Sequence, residues 1–345
     1  MTSRPSAIET STPEHSVSRG LSKPDHGDDD PTARTEARTI QSDPPLARTA
    51  ADLRELALRL VLYYDVFRHP LRQAELDRLA GAPLSPAVDA LQDRGVLERV
   101  ADHVCLAGGA GLVSGRTRRT EAAERRWPVA RRAARALAAF PWIRAVFVTG
   151  GLSKQSAEDD ADVDFLLLVE PGHVWAAKSA LQLVRRVLPE AVRDCLCTNY
   201  LLATDALSLS DRNLFTAMEL ATAVPLHGSA DAVALLEANR AWAEPLVPGY
   251  DWSVTRARNA PGLRAPRPVR AFEAAFGPFG PSVERVGLAA WNRYWNRKYA
   301  WVDEQDRAHR FQRGPSVATN HLHDFQRYVL DEHARRCRAY GIAPT

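Results

Sequence analysis

Apolar side chains recur at helical spacing from Leu53 through Leu56 and Leu60 to Tyr64. This predicts a helix over about Ala51–Arg68, ended by Pro70. A short second helix is expected around Gln73–Leu79. Ser85-Pro86 offers a cap followed by proline in the first turn, so a third helix should start there and stop at Gly95. Val96–Leu106 alternates like two short strands with a turn near Ala101-Asp102. Three helices and a β-wing over residues 51–115 read as a winged helix-turn-helix module.

The pattern then changes. Residues 116–139 read as helix, interrupted at Trp127-Pro128. An apolar, β-branched strand follows over Trp142–Val148, then a tight turn at Thr149-Gly150-Gly151 and a polar loop or short helix over Lys154–Ala161. Val163–Val169 is a second strand, apolar enough to be buried on both faces. After the break at Pro171-Gly172 come a helix over about Val174–Val187 and a third strand over Asp194–Ala203. Residues 116–208 therefore form an α/β (α+β) core.

Residues 209–345 read as mainly helical. Asp211 is a candidate cap for a helix reaching Ala223, and another helix falls near Ala230–Trp242. Residues 244–268, rich in Pro and Arg, read as a long loop. Ser282 is a candidate cap for a long aromatic helix bearing Trp291, Tyr294, Trp295, Tyr299 and Trp301, expected in the core rather than as a base-stacking platform. A last helix is expected over Leu322–Tyr340. Residues 1–50 carry few apolar positions and include Asp28-Asp29-Asp30, so they are expected to form a disordered tail.

Composition narrows the class. Of 345 residues, 45% are hydrophobic and 25% charged, as in a globular protein of two or three domains. No stretch approaches a membrane span or a signal-peptide core, so a cytoplasmic protein with no membrane partner is expected. The net charge of +3 does not by itself call for nucleic acid. The third helix would present Asp89 and Asp93 beside Gln92 and Arg94, and carboxylates facing a phosphate backbone are unfavourable. Nucleic acid is thus not the favoured partner, and a packing or protein-interaction role is expected for the module. The arginines from Arg118 to Arg135 alternate with Glu121 and Glu124 and read as a solvated helix face. Lys23, Lys154, Lys178 and Lys298 are the only lysines, which with the abundant alanine suggests a GC-rich bacterial genome. Cys195 and Cys197 would share a strand face, too closely spaced for a zinc pair, and read as buried thiols.

Chemistry concentrates in one segment. Asp162 and Asp164, separated by one residue, would point to the same face at the start of an otherwise apolar strand. Two like charges there repel, and a divalent cation would resolve the repulsion. Upstream, Gly150 and Gly151 end a strand in a turn whose amides could approach a phosphate. Alone, an Asp-x-Asp is a weak signal: Asp162 could cap a turn, and Glu158, Asp159 and Asp160 could be a solvated acidic loop. The surrounding order strengthens it: strand, Gly-Gly, short polar connection, Asp-x-Asp on a strand, helix, strand.

That order resembles the polymerase-beta-type nucleotidyltransferases over about residues 128–205, and more loosely bacterial nucleotidyltransferase-domain proteins with a winged-helix front. The resemblance implies transfer of an NMP from an NTP, with ATP the expected donor, to an unidentified acceptor, with release of pyrophosphate. It implies Mg2+ held by Asp162 and Asp164, phosphates wrapped by Gly150 and Gly151, and further phosphate contacts from Ser153 or Lys154. Many relatives have serine where Gly151 stands. Active members usually add a third carboxylate from the third strand. Asp194 is the acidic residue within Arg193–Ala203 and is the candidate, although it is equally placed for a surface salt bridge. Glu219 is a remoter candidate base. The alternative is a nucleotide-binding scaffold that keeps the fold without turnover. His321, His323 and Asp324 do not read as a metal site, because residues two apart on a helix do not share a face.

Overall fold

A computed structural model describes residues 48–159, 161–187, 196–302, 312–319 and 325–344. The expected tail over 1–50 lies outside these residues up to 47, as do Asp194, Cys195, His321, His323 and Asp324. Residues 48–345 form one compact unit.

Helix α1 (Ala50–Asp65) begins where Thr49 and Asp52 cap each other reciprocally, the Thr49 hydroxyl accepting from Asp52 N and the Asp52 carboxylate from Thr49 N. Then follow β1 (Leu71–Arg72), α2 (Gln73–Ala80), α3 (Ser85–Asp93), β2 (Leu97–Val100) and β3 (His103–Leu106). The strands pair antiparallel in the order β1-β3-β2, and Ala101 turns the hairpin with φ +54°. The three helices and the hairpin fall close to where periodicity puts them.

Helix α4 (Leu112–Ala138) runs without interruption through Pro128, contrary to the expected break. A proline inside a helix costs about 3 kcal/mol. Burial of Ala123, Ala130, Ala134 and Leu137 along one side of the helix offsets it.

The main sheet has six strands, in the order β7-β4-β5-β6-β9-β8. They are β4 (Ile143–Val148), β5 (Val163–Val169), β6 (Leu196–Ala203), β7 (Val224–His227), β8 (Arg313–Gly314) and β9 (Val317–Thr319). Only β5 and β6 are parallel neighbours, joined through α6 (Val174–Val187); the other pairs are antiparallel. The sequence pattern missed β7, β8 and β9, whose two to four residues are too short for alternation to register. Residues after 208 are therefore not only helical.

Both faces of the sheet are covered, which is why β5 reads as a continuous apolar run. Phe165, Leu167 and Val169 pack with α4, α6 and the tryptophans Trp175 and Trp295. Leu166 and Leu168 belong to the opposite core, shared with α1, α2, α3, α7 (Leu214–Thr222), α8 (Ser229–Ala243), α9 (Asp251–Arg258) and α12 (Phe325–Ala339). Asn213, not Asp211, caps α7, its side-chain oxygen accepting from Thr216 N at 3.0 Å. Helix α9 occupies part of the expected 244–268 loop because Tyr250, Val254 and Ala257 are buried.

Two helices end this region, α10 (Arg267–Phe276) and α11 (Gly280–Lys298), linked by a 3-10 turn over Gly277–Phe279. Helix α11 starts at Gly280 rather than at the Ser282 cap expected from sequence. Gly280 is also a point of close approach, where a Cβ would collide with the His173 ring. Trp295 and Tyr299 are in the core as expected, whereas Tyr294 and Trp301 lie on the surface.

Candidate functional site

The site is built where β4 turns into α5 (Gly150–Ser153). Gly150 takes φ +67°, a conformation that penalises any side chain, and a Cβ there would collide with the Asp164 carboxylate. A Cβ on Gly151 would meet the Ser156 carbonyl. Both glycines are thus required by close approach, and the one at Gly150 is an approach to the predicted carboxylate. Thr149 N donates to Asp164 O at 2.9 Å, which ties the end of β4 to the start of β5.

Asp164 sits on the sheet face of Leu166 and lines a cavity of roughly 330 Å3. Phe215, Thr216 and Glu219 of α7 line the same cavity, as do Thr319 and Phe325. Asp162 stands exposed just ahead of β5 and is not among the lining residues.

On β6, Asp164 pairs with Cys197, but Leu166 pairs with Tyr200, so β6 carries one extra residue at this point. The bulge brings Asn199 round to Asp164, its amide donating to Oδ1 at 3.1 Å. The Cys197 thiol donates to Asn199 Oδ1 at 3.0 Å. The described residue that reaches Asp164 from the third strand is therefore an amide and not a carboxylate.

Glu219 is the carboxylate that periodicity could not place. Gly150 N donates to its Oε2 at 3.2 Å, and Lys154 Nζ donates to its Oε1 at 2.8 Å and to Gly150 O at 3.1 Å. A carboxylate thus sits on the backbone amide and the cation expected to receive a phosphate. Ser153 donates its hydroxyl to Gly150 O at 2.9 Å, holding the turn. Ser153 and Lys154 line a second cavity, of roughly 280 Å3, with His69, Arg78, Trp252 and Arg256, rather than the one at Asp164.

Burial pushes the Asp164 carboxyl up to about 6, with the charges of Glu219 and Asp162 adding to it; Lys154 and the Asn199 amide act the other way. Burial, with the charges of Asp164 and Asp162 adding to it, pushes the Cys197 thiol up to about 11, so it is an inert thiol near neutral pH.

Unresolved negative charge at Asp164 suits a cation. Asp164 and Asp162 are two carboxylate donors, as for an Mg2+ that keeps water and phosphate oxygens as its other ligands. Among the described residues no group of three His, Cys, Asp or Glu is disposed to hold a metal ion. Two carboxylates alone do not make a closed protein site, so an ion held by them would need its remaining ligands from water or from a bound molecule. Comparison with family models, with curated proteins and with solved structures found no match for this chain.

Proposed function

We propose that the chain is a Mg2+-dependent nucleotidyltransferase that moves an NMP from an NTP to an acceptor, in the manner of the polymerase-beta-type enzymes. The observation that carries the reading is the meeting of Gly150 with Asp164. A positive-φ glycine at a strand end and a carboxylate from the next strand converge at the mouth of a ligand-sized cavity. Asp162 and Asp164 would hold the ion, whose chemistry is to neutralise charge on the transferring phosphate.

The chain's own groups have defined parts in this reading. The turn at Gly150 and Gly151 offers backbone amides to the phosphates. Glu219 leaves the Gly150 amide and frees Lys154, which then faces the phosphates as a point charge. The released Glu219 carboxylate would then serve as the base that takes a proton from the acceptor. The module over 51–115, read as a winged helix, serves packing, with Arg99 spent on Asp89 at 2.7 Å.

One observation favours the alternative of nucleotide binding without turnover: Asn199 stands where a third carboxylate would approach Asp164. The deciding experiment follows α-labelled NTPs in Mg2+ with a cell extract as acceptor source. The nucleotidyltransferase reading expects label transfer by the wild type that is lost in Asp162→Ala/Asp164→Ala. Mg2+-dependent NTP binding without transfer would select the scaffold. Neither binding nor transfer would remove both.

A further inference from the structure

The surface of residues 264–301 has a pattern that the site does not use. Phe272, Phe276, Phe279, Val283 and Val286 are all exposed, and their spacing is four, three, four, three. The backbone from Phe276 to Gly280 stays in the right-handed helical region, so α10, the 3-10 turn and α11 form a nearly continuous helical run. That spacing sets the five side chains along one stripe. Phe276 is 50% exposed, Phe279 61% and Val286 70%. Helix α10 buries none of its residues. Phe272 anchors it by packing on Trp142 and stacking on Phe276, with ring centroids 5.7 and 4.4 Å apart.

The side of α11 next to the stripe is already committed. Gly280 and Gly287 lie against His173 and Trp175, Trp295 is buried, and Glu284 accepts from the backbone amides of Trp175 and Ala176. The stripe is therefore the side the fold leaves over.

Among the described residues, the charge that Arg264–Lys298 leaves exposed has one sign. Arg264, Arg267, Arg270, Arg285, Arg293, Arg297 and Lys298 are exposed, and none of them pairs with a carboxylate among the described residues. The segment's two acids over Arg264–Lys298 point inward: Glu273 to Arg144 and Trp142 N, and Glu284 to the start of α6. Tyr294 and Trp301, 50% and 74% exposed, continue the surface beyond the stripe.

A second copy of the chain is a poor occupant, since pairing two such stripes would oppose unpaired cations of the same sign. The positive frame calls for a negative partner, while the apolar stripe calls for a medium that accepts phenylalanine and valine without hydrogen bonds. An anionic bilayer surface offers both: headgroups for the arginines, and acyl chains for an amphipathic helix lying in the interface. Tyrosine and tryptophan are favoured at that depth. We propose that α10 and α11 dock the protein on anionic lipid membranes as a peripheral helix. This replaces the expectation of no membrane partner, which rested on the lack of a spanning segment; no helix among the described residues is long and apolar enough to cross.

The test is sedimentation of the full chain with vesicles of phosphatidylcholine alone and of phosphatidylcholine with 30% phosphatidylglycerol. Binding is expected to the anionic vesicles only. Phe276→Ser/Phe279→Ser/Val286→Ser should weaken it at least tenfold with an unchanged circular dichroism spectrum, since all three side chains are exposed. Arg267→Glu/Arg270→Glu should weaken it similarly. No binding to anionic vesicles, or equal binding by the triple serine variant, overturns the proposal. So does binding of heparin and vesicles that both survive the serine changes, which marks a general polyanion surface. A wild type that elutes as a dimer, with the serine variant monomeric, assigns the stripe to self-association instead. None of these readouts depends on nucleotide chemistry.

Discussion

At the scale of single residues, Gly150 and Asp164 constrain each other. Gly150→Ala brings a Cβ into the Asp164 carboxylate from a positive φ. Strain of this kind costs about 1–3 kcal/mol, so the denaturant midpoint should fall by a corresponding amount. Asp164 also makes stability depend on pH. Its folded value of about 6 lies above the ordinary 3.8, so the native state holds the proton more tightly than the unfolded chain. That contribution is fully present below the unfolded value and is lost as pH rises through about 6. Asp164→Asn should therefore melt with the wild type near pH 4, yet outlast it near pH 7 by roughly 2 kcal/mol. Thermal melts across that range check this. Added Mg2+ should raise the wild-type melting temperature near pH 7 and leave Asp164→Asn unmoved. The Gly-Gly turn and the two aspartates were legible in the sequence because each is a local exception, glycine at a strand end and charge at an apolar strand's edge. Glu219 and Asn199 had no such mark. Glu219 lies on a helix 69 residues from Gly150, and Asn199 reaches Asp164 only through the extra residue in β6.

At the scale of elements, α11 fastens α6 by its Glu284 carboxylate, which accepts from Trp175 N at 2.9 Å and Ala176 N at 3.1 Å. A helix start satisfied by a carboxylate from a distant helix gains both hydrogen bonds and a favourable dipole interaction. Glu284→Ala leaves those buried amides unpaired and should cost about 2–3 kcal/mol, with Glu284→Gln recovering part of it in urea titrations. Long elements were readable: β5 and α6 match their expected bounds because period and length both speak. Elements held by tertiary contact were not. Helix α4 survives Pro128 only through alanines packed in the core, and β7 and β9 become strands only beside β4 and β6.

At the scale of the whole molecule, the first and last described helices close the structure. The Arg336–Asp65 ion pair, the edge-on contact of Tyr63 with His333 at 5.7 Å and the burial of Val329 and Cys337 join α1 to α12. One core then runs from α1 along one face of the sheet to α12. Circular dichroism and tryptophan fluorescence should report one coincident unfolding transition for the full chain, while removal of residues 325–345 should lower it sharply. The sequence suggested separate modules because the contacts that fuse them join positions hundreds of residues apart. The resting molecule also carries its own anion. Glu219, tethered on α7, meets the Gly150 amide and Lys154 at an effective concentration that a dissolved ion at millimolar levels cannot match. Sulfate or inorganic phosphate, with few contacts each, must compete with that tether for the same donors. On the proposed nucleotidyltransferase reading, a nucleotide that also fills the cavity beside Asp164 would bring further contacts and displace it, so the built-in carboxylate would act as a filter against small anions.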